Sequence, residues 1–351
     1  MSDPASTIDR TILRRLPKAE LHCHLDGSVR PATMLELARE YGVEMPAPTA
    51  EQLRDFMIVR DARDLEDYLA RFDVTLSVMQ HADALERIAY ELAEDAHGDG
   101  VLYLEVRFSP VLNIRAGLEM HDVVAAVTRG LARAERAHGI MSRVIICALR
   151  HLDPGVSLEL ARLAVSHDAS GVVGFDLAGG EQGHPASRHV GAFDYARSHD
   201  LACTCHAGEG DGAASIRDAI HTCGAHRVGH GTRLLEDRAL MEFVNDRRIP
   251  IEICITSNVQ TRAAASYETH PVRQYFDAGI KVVLNTDNRL ISGTTLTDEY
   301  QLAASSLGFT LPQLARIALN GFESAFLPLR DRQTLLERAR ERLMSLGIAP
   351  A

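Results

Sequence analysis

The chain is short of lysine: of its 37 basic residues only Lys18 and Lys281 are lysines. It has no apolar run near the roughly 18–20 residues that a membrane-crossing helix needs. Residues 1–20, "MSDPASTIDRTILRRLPKAE", lack the apolar stretch of a secretory signal, so the cytoplasm is the expected location. A formal net charge of −11 without a basic stripe argues against duplex nucleic acid as a partner. The six cysteines show no CxxC spacing and several fall within apolar runs, so they read as reduced core residues. No GxGxxG follows the first strand-like run, which removes the main sign of a dinucleotide-binding sheet.

What is present is an ordinary globular composition, 46% hydrophobic and 24% charged over 351 residues. No linker or repeat divides it, and a single domain over 1–351 is expected. Short apolar runs alternate with helical segments. The strand candidates are 19–25, 101–108, 143–149, 171–178, 201–207, 226–231, 250–257 and 281–287. Between them lie stretches such as "ALERIAYELAEDAHGDG", where Leu85, Ile88, Ala89 and Leu92 form one apolar stripe. Eight strands interleaved with helices point to an α/β fold, a (β/α)8 TIM-type barrel with its core at about 16–330. Extra helices are expected after strand 1, as a lid insertion over about 31–100, and at the C-terminus.

Chemistry in such a barrel sits at the C-terminal ends of the strands. The unusual polar residues fall there: His22 and His24 on strand 1, "DLAGGE" on strand 4, "HAGE" on strand 5, "GHG" around His230 on strand 6, and "NTDN" on strand 8. Alternation along strand 1 sends His22 and His24 to one side and Leu21, Cys23 and Leu25 to the other. With His206 and Asp287 they supply three imidazole nitrogens and one carboxylate, a donor set that suits zinc. Any one of these alone has a duller reading, such as a core histidine or a helix cap. Their convergence on one end of one barrel is what favours a metal site. Two-metal barrel hydrolases bridge their ions with a carboxylated lysine after strand 4. Here Lys18 precedes strand 1 and Lys281 opens strand 8, so a single ion is expected. A zinc ion would bring the pKa of a bound water toward 7.

The ordered set "ELHCHLDGS", "YLEVRFSP", "FDLAGGE", "HAGE", "RVGHGTRL", "TSNVQT" and "LNTDN…SGTTLTDE" resembles the adenosine deaminase family of metal-dependent hydrolase barrels over residues 16–330. The resemblance implies zinc-dependent hydrolysis of adenosine, and of 2′-deoxyadenosine, to inosine products and ammonia, as in purine salvage. It also implies one zinc per chain, held by His22, His24, His206 and Asp287. Glu209 matches the acid that protonates purine N1, and His230 the histidine that orients the attacking hydroxide and can take its proton. Asp287 would hold that hydroxide from the far side. Asp26 and His24 match the contacts at the ribose 5′-hydroxyl, Gly179 the backbone N–H at purine N3, and Asn288 the N7 position. Leu65, Tyr68, Leu69 and Phe72 stand at i, i+3, i+4, i+7. Tyr68, Leu69 and Phe72 resemble the family's hydrophobic lid. The partner is thus a small purine nucleoside.

Two features depart from the pattern. Many members carry a second aspartate where this chain has Asn288, followed by Arg289. An asparagine amide donates a hydrogen bond without needing a proton, and it can also present its oxygen. Relatives that deaminate free adenine tend to carry Glu at the position of Asp26. Adenine, aminodeoxyfutalosine and modified adenosines stay open as substrates, and so does a purine-binding barrel without catalysis.

Overall fold

The computed structural model describes residues 8–60, 68 and 71–351. Eight parallel strands follow one another in chain order. They are β1 (Lys18–His24), β2 (Val101–Phe108), β3 (Met141–Leu149), β4 (Val172–Ala178), β5 (Ala202–Ala207), β6 (Arg227–His230), β7 (Ile251–Ile253) and β8 (Val282–Leu284). The last meets the first beyond the end of β8. There the Asp287 N–H donates to His22 O at 3.0 Å, and the His24 N–H donates to Asp287 O at 2.7 Å. The seam that closes the barrel is therefore made by residues expected to hold a metal.

After β1 the chain forms helices Pro31–Tyr41, Ala50–Met57, Phe72–Ser77 and Ala82–Gly98. Pro31 opens the first of these, and Gly42, at φ 69°, ends it in the left-handed region that glycine adopts without strain. Ala82–Gly98 buries the anticipated stripe of Leu85, Ile88, Ala89 and Leu92. It lies against Met120–His138, where a Cβ on Gly130 would come within 2.2 Å of Glu86 O, so only glycine permits that approach. Helices Leu311–Ser324 and Leu329–Ser345 follow at the C-terminal end. Among the described residues no helix is long and apolar enough to cross a membrane.

Two strands are shorter than their apolar runs suggest. The run 250–257 becomes strand only to Ile253, and Ile255–Gln260 is a helix. A short apolar run does not separate strand from helix by periodicity. Here Asn258 N–H donates to Cys254 O at 2.8 Å and starts the helical turn at once. That turn carries Ser257, Asn258 and Thr261 to the barrel mouth. The run 281–287 likewise stops at Leu284, and Asp287 takes a φ of 61° that no regular strand accommodates.

The barrel interior is ionic rather than apolar. Glu105, Arg107, Asp176, Thr204, Arg227 and Glu252 are all buried. Each alternates with an apolar neighbour that faces the helices.

Candidate active site

His22 and His206 define the floor of the site. His22 Nδ1 donates to Glu252 Oε2 at 2.9 Å, and His206 Nδ1 lies 3.1 Å from Asp176 Oδ2. Both carboxylates are held in turn by Arg107, at 2.9 Å to Asp176 Oδ2 and 2.8 Å to Glu252 Oε2. With a proton on each Nδ1, the Nε2 lone pairs of both rings are free and converge. His22 Nε2 is buried and has no hydrogen-bond partner, a cost that a cation bound at that point would offset. His24 Nε2 stands 3.2 Å from His206 Nε2. The same atom of His24 and His22 Nε2 each lie 3.4 Å from Asp287 Oδ1. Donor atoms of His22, His206, His230 and Asp287 all fall within 4.8 Å of one another. Lone pairs without donors, gathered on soft nitrogens around one carboxylate, suit a divalent zinc-like cation.

Burial pushes His24 well below the ordinary histidine range, and His206 is lowered by the same cause. Burial and Arg107 press His22 down too, but the nearby carboxylates of Asp287 and Glu252 outweigh them and raise it. A cation at Nε2 competes with that proton. Against burial, the surrounding imidazoles hold Asp287 well below the usual carboxylate range. Ser257 donates to its other oxygen at 2.6 Å.

Glu209 faces this cluster from the end of β5. Its Oε2 lies 3.5 Å from His230 Nε2, and Thr261 donates to Oε1 at 3.0 Å. Burial, followed by the charges of Asp287 and Glu181, pushes its carboxyl well above the usual range, which favours the acid form. His230 and Asp287 hold positive φ values of 63° and 61°. Strain of that kind costs about 1–3 kcal/mol per residue and gathers at functional sites.

The adenosine deaminase family model matches residues 17–342. The chain is 41% identical over 343 residues to an adenosine deaminase of Mycobacterium leprae, covering 93% of this chain and 94% of that one. The chain belongs to the adenosine deaminase family. A probable adenosine deaminase of Dictyostelium discoideum is 45% identical over 318 residues, 90% of this chain, and the match spans 41% of that longer protein. Among solved structures, an adenine deaminase of Arthrobacter aurescens superposes with a TM-score of 0.88 at 26% identity, covering 94% of this chain and 99% of that one. An amidohydrolase of B. ambifaria with bound Zn gives 0.87 at 26% identity, with 99% and 96% covered.

Around this deaminase-family site the other anticipated residues are placed as follows. Asp26 is buried, its Oδ1 has no partner, and burial raises its carboxyl to about 7. Gly179 follows β4 with a φ of 94°, a turn that glycine makes without strain. Asn288 Nδ2 donates to the Tyr68 hydroxyl at 3.1 Å, and the same hydroxyl lies 2.7 Å from Ser292 Oγ. Tyr68 is thus buried against the strand-8 loop, and Phe72 is half-buried. Leu65 and Leu69 lie outside the described residues. A Cβ on Gly27 would fall 1.8 Å from Asn288 Oδ1, so only glycine there lets that amide take its place.

Several residues of the site lie inside or beside the quoted motifs with no role read for them there. Arg107, Glu252, Asn258 and Thr261 are among them. So is Glu181, a buried carboxylate that accepts backbone N–H groups from Gly208 (2.7 Å), Glu209 (3.0 Å), Gly210 (2.7 Å) and Asp211 (3.2 Å). The Ser215 hydroxyl also donates to it. Glu181 therefore fixes the loop that aims Glu209. Glu181→Ala would strand those donors, at about 1–3 kcal/mol for each that water cannot reach. The expected result is faster amide hydrogen exchange across 208–211 and a lower kcat, with the imidazole cluster unchanged.

Proposed function

We propose that this chain hydrolyses adenosine, and 2′-deoxyadenosine, to the corresponding inosine and ammonia, using one zinc ion per chain. The observation that carries this reading is a buried Glu209, its carboxyl held well above the usual range, beside a cluster of imidazoles and one carboxylate, in a chain of this family. Purine C6 is a poor electrophile until N1 is protonated, so the reaction needs an acid and an activated water within a few ångströms of each other.

His22, His24, His206 and Asp287 would hold the zinc. When bound, zinc acts as a Lewis acid that brings a water's pKa toward 7. Glu209 gives its proton to N1. His230 and Asp287 flank the incoming oxygen and fix its line of approach to C6. Oxygen adds at C6 and gives up two protons: one goes to N6, which leaves as ammonia when the C6–N6 bond breaks, and the other restores the Glu209 acid. Asp26 and His24 meet the sugar 5′-hydroxyl, the Gly179 N–H meets N3, and the Asn288 amide donates to N7. Tyr68, Leu69 and Phe72 cover the nucleoside and exclude water. Residues 31–100 then serve as a helical lid on a single catalytic domain.

A second reading, deamination of free adenine, is favoured by the structural likeness to the Arthrobacter aurescens enzyme. Steady-state assays on adenosine, adenine and 5′-substituted adenosines separate the two. The proposal expects the highest kcat/KM on adenosine, and a preference for adenine would overturn it.

Asn288 yields a prediction of its own. An aspartate at this position donates to N7 only when protonated, whereas asparagine donates at every pH. Asn288→Asp is therefore expected to add a further limb, kcat/KM falling as pH rises through the new carboxyl's pKa. Superimposable pH profiles for the two forms would remove Asn288 from the purine contact.

A further inference from the structure

His230 is held from behind by a chain of three hydrogen bonds whose direction is fixed at its far end. The backbone N–H of Val272 donates to His270 Nδ1 at 3.2 Å. A backbone N–H cannot accept, so His270 Nδ1 carries no proton. Burial lowers His270 to about 3, so the ring is neutral and its one proton sits on Nε2. That Nε2–H faces Asn258 Oδ1 at 3.2 Å. The oxygen end of the Asn258 amide is thereby committed to His270, and the NH2 end points at His230 Nδ1, 2.9 Å away. Asn258 and His270 are both buried, so water does not offer either of them another partner.

We propose that His270 and Asn258 lock His230 in the tautomer protonated on Nε2, making it a hydrogen-bond donor to the attacking oxygen rather than the base that takes its proton. With Nδ1 occupied as an acceptor, the ring's proton can reside only on Nε2, the atom that faces Glu209. A nitrogen that already bears a proton cannot remove another from the oxygen beside it. The same proton bars Nε2 from a metal ion. His230 is one of the four groups within 4.8 Å of one another, yet this tautomer leaves His24, not His230, as the third imidazole of the shell. Asn258 and His270 are positioning residues, since neither reaches the reacting atoms. The inference rests on the proposed deaminase reading for what the donor acts upon, but the tautomer itself does not depend on it.

The direct test is a long-range 1H–15N spectrum of the zinc-loaded protein with labelled histidine, the His230 signals assigned by their loss in His230→Asn. The expected pattern is a protonated Nε2 and an unprotonated Nδ1. A protonated Nδ1 overturns the proposal. His270→Phe removes the donor that orients the amide, and should convert that single pattern into a mixture. An unchanged pattern would show that His270 sets nothing.

Kinetics give an independent arm. In Asn258→Asp a carboxylate replaces the NH2 group, draws the ring proton to Nδ1 and leaves a lone pair on Nε2. The expected loss is about 10²–10³-fold in kcat, as for removal of one positioned donor, with zinc content unchanged. If His230 were the base, this variant would match or exceed the parent enzyme, and that outcome overturns the proposal. A protein with the expected spectrum but no turnover of adenosine would retain the tautomer and lose the substrate assignment instead.

Discussion

Glu209→Gln is expected to keep the fold and the zinc and to lose about 10²–10⁴-fold in kcat, the usual share of a positioned general acid. Glutamine matches the shape and can still donate a hydrogen bond to N1, but it has no proton to transfer. The two states of the wild-type group give the sign of the pH effect. Burial, then Asp287 and Glu181, hold the Glu209 carboxyl well above its ordinary value. The acid form, which the proposed mechanism requires, is therefore full below that raised pKa and is lost as pH rises through it. Wild-type kcat/KM should show an alkaline limb of this origin, and the residual activity of Glu209→Gln should lack it. Near-wild-type turnover would mean that N1 is protonated from elsewhere.

Arg107→Leu is the second large effect, and it falls on stability and metal affinity. Arg107 is fully buried and joins Asp176 to Glu252, the two carboxylates that hold the Nδ1 atoms of His206 and His22. It also donates to Leu21 O at 2.6 Å, on the strand that carries His22. Removing the cation leaves Asp176 with no arginine partner in a dry interior, and leaves Glu252 with Arg227 alone. Breaking a buried pair in this way costs about 3–5 kcal/mol. Loss of the partners that orient a ligating histidine typically costs 10–100-fold in metal affinity. Denaturant unfolding together with a zinc titration checks both. A variant of wild-type stability that binds zinc as tightly would contradict the ionic floor described for this barrel.

The strand ends were legible in the sequence because His22, His24, His206, His230 and Asp287 interrupt apolar runs at one pole of the barrel. Side-chain alternation alone put His22 and His24 on one face. The supporting residues were harder to see. Arg107 and Glu105 in "YLEVRF" and Glu252 in "PIEI" each follow the same alternation, so their inward direction was readable. What each one holds was not, because Glu252 meets His22 across 230 residues of chain and Arg107 across 145. Asn258, within "TSNVQT", had no readable role for a different reason: a β-rich run read as strand to residue 257 turns helical after Cys254. His270 lies in a loop with no periodic pattern at all. Its part depends on one backbone N–H, which no residue type announces.

The measurement that bears most directly on the central claim is the rate of ammonia release from adenosine by the purified, zinc-loaded protein. It is repeated after chelation and again after zinc is restored. The account predicts turnover that disappears with the metal and returns with it. Full turnover in the stripped protein, or none on adenosine with zinc in place, would contradict it.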